Sequence, residues 1–429
     1  MTSTLNTVAA WNTRQNRLTA AYYAIVLFWG FYYYRPEDVI KIIYGLPIAK
    51  IIGGIALIAL VIGILGQGGR VKLSKEAKLV LLLFIQTVLC IPFATWKGGA
   101  FQTVFEDFDK CVIMTVMIGL AVTSVERLRK LLFIQASAVA GMAVIGCIFF
   151  RGVLRLEIGT GLYGNANDFA IMIALNWPIC LAFLLSARNP LKKALWAIGL
   201  IFMLWAVTLT YSRSGFMAVV VAICISFWEF GVRAKRSQLI VLGVLLALLL
   251  LPILIPSHYA TRLEGIFDPS VDAMDQGSHA ARRELLKKSL ELTVTHPIFG
   301  VGPGCFASTT QLWYVTHNTY TQLSSEAGIP ALLLFILILR QVFRNLRDIR
   351  KTERYRIDPQ VRTFTGALRA SFAGYLLGAF FASYGYELFI YALVAFTGVL
   401  YRACQDRPAE PNVKTGLSRF EVRAPVEVS

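Results

Sequence analysis

The apolar residues of this chain fall into blocks, and the blocks have membrane-spanning length. A helix needs about 20 mostly apolar residues to cross the hydrocarbon core. By that measure the pattern predicts about twelve spans, at residues 18–34, 48–66, 77–94, 109–123, 129–150, 167–186, 192–210, 214–231, 238–256, 324–343, 363–384 and 385–402. The fourth block is short, which fits a tilted or partly re-entrant segment. The first block follows a polar N-terminus without a small-residue cleavage site, so it reads as a retained anchor. The expected fold is all-α: a polytopic helical domain over residues 1–402, with one long polar loop, 257–316, between the ninth and tenth spans. That loop contains short helices. A tail bearing Pro408, Pro411 and Pro425, residues 403–429, reads as disordered.

Composition supports the pattern. The chain is 56% hydrophobic and only 16% charged, against about 25% charge in soluble domains. The net charge of +17 does not indicate nucleic acid, because most of the basic residues sit in short segments between apolar blocks. With the N-terminus in the cytoplasm, alternate segments collect Arg14 and Arg17, then Arg70 to Lys78, then Arg127 to Lys130. The pattern continues through Arg188 to Lys193, Arg233 to Arg236, Arg340 to Arg369, and the tail. This positive-inside arrangement puts both termini in the cytoplasm and the long loop outside. The seven cysteines show no C-x-x-C spacing, so they form neither a disulfide framework nor a zinc site. The four histidines, His258, His279, His296 and His317, lie in or beside the long loop without metal-motif spacing. No metal and no cofactor is expected.

Candidate chemistry gathers at the outer mouth. His317, beside Asn318, sits where the long loop returns to the membrane. A neutral imidazole there can take a proton from a hydroxyl, or it can be a loop histidine with a structural hydrogen bond. Arg213 lies in Tyr211-Ser212-Arg213-Ser214-Gly215, between two apolar blocks with almost no loop. It breaks the positive-inside pattern, and guanidinium suits a bidentate grip on phosphate; a snorkelling end residue is the plain alternative. Helical phase separates the neighbours Arg282 and Arg283. Arg282 shares a face with Leu285, Leu286 and Leu290, while Arg283 shares one with Lys287 and Glu291, and Glu284 can pair with Lys288. The segment Gly300-Val301-Gly302-Pro303-Gly304 either offers amides to an anion or makes a tight reversal. Arg155 with Gly164-Asn165-Ala166-Asn167 forms a further polar cluster that can bind a sugar or phosphate, or cap a helix.

Taken together, Gly164-Asn165-Ala166-Asn167, Ser212-Arg213-Ser214-Gly215, Arg282 through Gly304, and His317-Asn318 through Gly328 resemble the O-antigen ligase and polymerase superfamily of bacterial membrane glycosyltransferases. The resemblance covers about residues 151–329. Ala166 stands where proline is frequent, and Leu286 where an aromatic is frequent. The resemblance implies transfer of a glycan from an undecaprenyl diphosphate carrier to an acceptor hydroxyl, lipid A core first, on the periplasmic face of the inner membrane. His317 would be the base, with Arg213 and Arg282 on the diphosphate, and with inversion and no metal. Arg155, Asn165, Asn167, Gly300, Gly302 and Asn318 would contact substrate. A polysaccharide polymerase and a protein O-oligosaccharyltransferase are the alternatives within the superfamily. A transporter of lipid-linked sugars is the alternative outside it. Transporters tend to carry internal repeats and mid-span polar residues, whereas here the polar residues cluster at the outer mouth.

Overall fold

The computed structural model describes residues 18–39, 46, 48–66, 72–150, 155–159, 161–234, 273–312 and 314–405, and these are helical with no strand among them. The long helices are α1 (Thr19–Tyr34), α2 (Ile48–Leu65), α3 (Lys75–Cys90), α4 (Asp109–Ala121), α5 (Val125–Phe149) and α6 (Ala166–Ser186). They continue with α7 (Pro190–Leu209), α8 (Arg213–Phe227), α9 (Ala273–Thr295), α10 (Thr319–Ile349), α11 (Pro359–Gly378) and α12 (Leu388–Gln405).

Among the described residues, eight helices are long and apolar enough to cross a membrane: α2, α3, α5, α6, α7, α8, α10 and α12. Three other predicted spans fall short of that measure for visible reasons. Helix α1 has 16 residues. Helix α4 has 13 residues and continues a π-helical turn, Thr103–Phe108, that carries Glu106 and Asp107. Helix α11 has length enough but carries Arg362 and Arg369. The predicted span 238–256, the first part of the long loop and the tail from residue 406 lie outside the described residues.

The centre of the bundle is a seam of small residues. Helix α6 is buried through most of its length, and α8 and α11 pack against it. A Cβ placed on Gly215 of α8 would come within 2.2 Å of the Ala170 Cβ of α6. One on Gly374 of α11 would lie 2.9 Å from the Ala218 carbonyl oxygen of α8, and one on Gly378 would lie 2.2 Å from Ile171 Cδ1 of α6. Between helices in lipid, association rests on such close packing because no hydrophobic force drives it.

The two ends of the bundle differ. At one end lie the starts of α6, α8 and α10, together with α9. At the other end carboxylates are held by arginines: Glu229, at the end of α8, accepts from Arg350 at 2.6 Å and has Arg369 at 3.7 Å. Arg402 donates to the Gly119 carbonyl there. All seven cysteines are free thiols.

The seam makes a direct prediction. Gly215→Ala is expected to cost about 1–3 kcal/mol through overpacking, read as a lower thermal midpoint of the detergent-solubilised protein. An unchanged midpoint would show that α6 and α8 can separate freely.

Candidate functional site

Three helices begin at the loop end of the bundle, each with a side-chain cap. Asn165 accepts from Asn167 N at 2.8 Å to start α6. Ser212 accepts from Gly215 N at 3.2 Å to start α8. Asn318 accepts from Tyr320 N at 2.9 Å and Thr321 N at 3.1 Å to start α10. Such caps satisfy orphan amides, and each helix start carries partial positive charge.

The first two starts are tied together. Ser212 Oγ donates to Asn167 Oδ1 at 2.7 Å, and an Arg155 terminal nitrogen donates to the same oxygen at 3.0 Å. Arg155 Nε also donates to the Thr210 carbonyl at 3.0 Å. Arg155, Asn167 and Ser212 therefore hold the α7–α8 turn on the start of α6, and Arg213 is the first residue of α8 beyond that clamp. Tyr211, in the turn itself, has a left-handed φ of 50°.

The third start is tied to the α11–α12 connection. Thr319 N donates to the Ala379 carbonyl at 2.8 Å, and Thr319 Oγ1 donates to Ala382 O at 2.7 Å. Thr319 Oγ1 in turn accepts from Tyr384 N at 2.9 Å. Thr316 Oγ1 and Ser383 Oγ share a 2.8 Å hydrogen bond. His317 stands between these anchors with φ 51°, a conformation a non-glycine residue adopts only under surrounding constraint. Left-handed non-glycine residues thus precede both Arg213 and Asn318 by one or two positions.

Helix α9 brings Arg282 to His317. Its buried side runs through Leu285 and Ser289, and Thr293 Oγ1 meets Ser324 Oγ of α10 at 2.8 Å. Arg282 is half-buried and Arg283 is exposed. Burial, and then the Arg282 guanidinium, hold the His317 imidazole below the ordinary histidine value of 6.5. The leucine face differs from the expected one. Leu286 and Leu290 are exposed, because packing follows the side that meets α10. Lys288 pairs with Glu291 at 3.1 Å rather than with Glu284.

The glycine-rich segment has a different task from anion binding. Helix α10 is interrupted at Gly328 (φ 81°, ψ 170°), and residues 297–304 wrap the break. Val301 N donates to Ser325 O at 2.8 Å, Gly302 N to Glu326 O at 2.9 Å, and Ile329 N to Pro297 O at 2.8 Å. Gly300 N donates to His296 O at 3.0 Å, and Gly304 N donates to the buried Glu326 carboxylate at 3.0 Å. Gln86 Nε2, from α3, donates to Ile298 O at 2.9 Å and Ala327 O at 3.1 Å. The amides of Gly300 and Gly302, expected to contact substrate, are taken by protein carbonyls, so the tight reversal is what forms.

Residue-level reading of the sequence passed over Asp168, Glu326, Thr319, Tyr384 and Glu387. Asp168 sits next to Asn167, and the Tyr384 hydroxyl lies beside it. Glu387, in the α11–α12 connection, is exposed. The protein mass around it, and then the Asp168 charge, push its carboxyl up to about 7. The adjacency of Asp168 to the Asn165–Asn167 cluster was the one available signal. No group of three potential metal ligands occurs among the described residues.

With this geometry in hand, residues 198–336 match the family model described as O-antigen ligase. The match spans α8, α9, the glycine-rich turn, His317 and the first part of α10. No curated protein matches the chain.

The break at Gly328 is testable. A Cβ there would lie 2.1 Å from the Ile298 carbonyl oxygen, at a φ that L-residues rarely adopt. Gly328→Ala is expected to destabilise the protein by about 3 kcal/mol, seen as reduced accumulation and a lower thermal midpoint. Wild-type behaviour of this variant would mean that the turn is not locked to α10.

Proposed function

We propose that this chain, whose residues 198–336 carry an O-antigen ligase domain, transfers a glycan from undecaprenyl diphosphate to an acceptor hydroxyl. The acceptor is lipid A core, and the reaction runs at the loop end of the bundle, on the periplasmic side of the inner membrane. The carrying observation is the placement of His317 and Arg282 close enough that the arginine depresses the imidazole's proton affinity.

In this reading the acceptor oxygen attacks the anomeric carbon and its proton passes to the neutral His317 imidazole. The bond from that carbon to the diphosphate oxygen breaks, and the lipid diphosphate leaves. Attack opposite the leaving group inverts the anomeric centre. Arg213 and Arg282 stabilise the charge that grows on the diphosphate, the role positioned donors play at developing anions. The starts of α6, α8 and α10 add partial positive charge at the same end. Asn165 and Asn167 shape the donor side together with Arg155, and Asn318 fixes the backbone beside His317. The ligase reading over a polymerase or a protein glycosyltransferase rests on the description of the matched family. Reconstitution with undecaprenyl diphosphate glycan and each acceptor, followed by product analysis, separates them: extended lipid-linked glycan or glycosylated protein would replace the ligase reading.

His317→Ala is expected to slow transfer by about 10²–10⁴-fold at matched membrane levels; near-normal turnover would leave His317 a structural residue. The pH dependence follows from the direction of its shift. A base with lowered affinity stays neutral to lower pH, so the acid limb of kcat/KM lies below 6.5. Arg282→Gln removes one lowering influence and should move the limb of the residual activity upward, whereas Arg282→Lys keeps it in place.

Rates of the adjacent arginine variants provide a second check. Arg282→Ala should impair transfer severely, Arg282→Lys should rescue it in part because the bidentate fork is lost, and Arg283→Ala should change it little. An inactive Arg283→Ala would shift the assignment by one residue. With two arginines on the diphosphate, transfer should also survive exhaustive chelation; loss restored by Mg²⁺ would overturn that part of the mechanism.

A further inference from the structure

At the end of the bundle opposite the polar loop lies a cavity of about 1100 Å³, walled by the start of α5, the α6–α7 turn, the end of α8 and the start of α11. Arg129, Arg188, Lys192, Arg233 and Arg362 line it. Two carboxylates share the wall, Glu229 and Asp358, and both have cation partners from outside it. Arg350 holds Glu229 at 2.6 Å, and Arg354 lies 3.8 Å from Asp358. Arg233 adds a looser contact with Glu229 at 3.9 Å. Among the described residues, no carboxylate lies within ion-pair distance of Arg129, Arg188, Lys192 or Arg362. A concave wall of like charges raises the local potential and concentrates counter-anions.

The other half of the wall is apolar, with Leu185, Phe230 and Phe364. Helix α7 leads away from the cavity with Leu191, Leu195 and Ile198 exposed, at spacings that put them on one face. Cations at one level and an apolar helical face adjoining them match a molecule with an anionic head and hydrocarbon tails. We propose that this cavity binds the headgroup of an anionic phospholipid from the leaflet at that end, with its acyl chains along α7. The chemistry it shares with free phosphate is the phosphate oxygens; the apolar half distinguishes the lipid. The site is separate from His317, Arg213 and Arg282 and does not depend on the transfer reaction.

The test is native mass spectrometry of the full chain in detergent, titrated with phosphatidylglycerol, phosphatidylcholine and inorganic phosphate. Phosphatidylglycerol should bind, phosphatidylcholine should bind far more weakly, and inorganic phosphate at equal concentration should not displace the lipid. Equal binding of phosphatidylcholine, or displacement by phosphate, would overturn the proposal on the wild-type protein alone. The exposed triple variant Arg188→Gln, Lys192→Gln and Arg362→Gln should weaken phosphatidylglycerol binding on the order of 100-fold. The charge-matched control Arg344→Gln, Arg347→Gln and Lys351→Gln, around Asp348, should keep it. Equal weakening in the control would reduce the effect to general positive charge and refute the site.

Discussion

The interruption of α10 at Gly328 is the constraint on which the loop end of this protein depends. A helix broken in the membrane exposes backbone groups that lipid cannot satisfy, and irregular backbone survives there only when buried in protein. Here the Ser325, Glu326 and Ala327 carbonyls and the Ile329 amide meet partners outside the helix. Val301, Gly302 and Ile329 supply amides, Pro297 a carbonyl, and Gln86 a side-chain amide from α3. The bonds are reciprocal: the turn after α9 completes the helix, and the helix break positions the turn. Glu326 strengthens the join by accepting from Gly304 N while buried.

That join decides where α9 lies. Its C-terminal end is fixed to the Gly328 break by the turn, and Thr293 meets Ser324 one helical turn before the break. Arg282 then lies about three helical turns further along α9, where it reaches His317 at the start of α10. A shift of the turn by one residue would rotate α9 by about 100° and exchange Arg282 for a neighbour. The approach of a cation to the histidine is thus a consequence of backbone bonding some distance from either side chain.

The electrostatics of the loop end are mixed rather than uniformly positive. Arginines and helix starts favour an anion, while Asp168 and Glu387 sit close enough to influence each other. In the proposed transfer, a diphosphate and a polyol would make different demands, the first for cations and the second for acceptors. Both kinds of group are present within one framework, braced by the Thr319–Tyr384 and Thr316–Ser383 hydrogen bonds. The opposite end is basic with buried ion pairs, as at Glu229 and Arg350.

The sequence by itself determined that the chain is helical and membrane-embedded, because runs of apolar residues can be satisfied in lipid only that way. It also determined which polar residues interrupt the pattern: Arg213, Arg282 and His317 stand out since charged and titratable groups are costly near hydrocarbon. Helical phase was enough to rank Arg282 inside Arg283. The tertiary structure decided the rest. Leu286 and Leu290 are as apolar as Leu285, and only the contact with α10 selects which of them is buried. The amides of Val301 and Gly302 carry no mark of their acceptors in the sequence, since those carbonyls belong to Ser325 and Glu326 of α10. Glu387 and Asp168 become neighbours only when the α11–α12 connection folds over the start of α6, and a pairing between residues so distant along the chain has no local pattern to announce it.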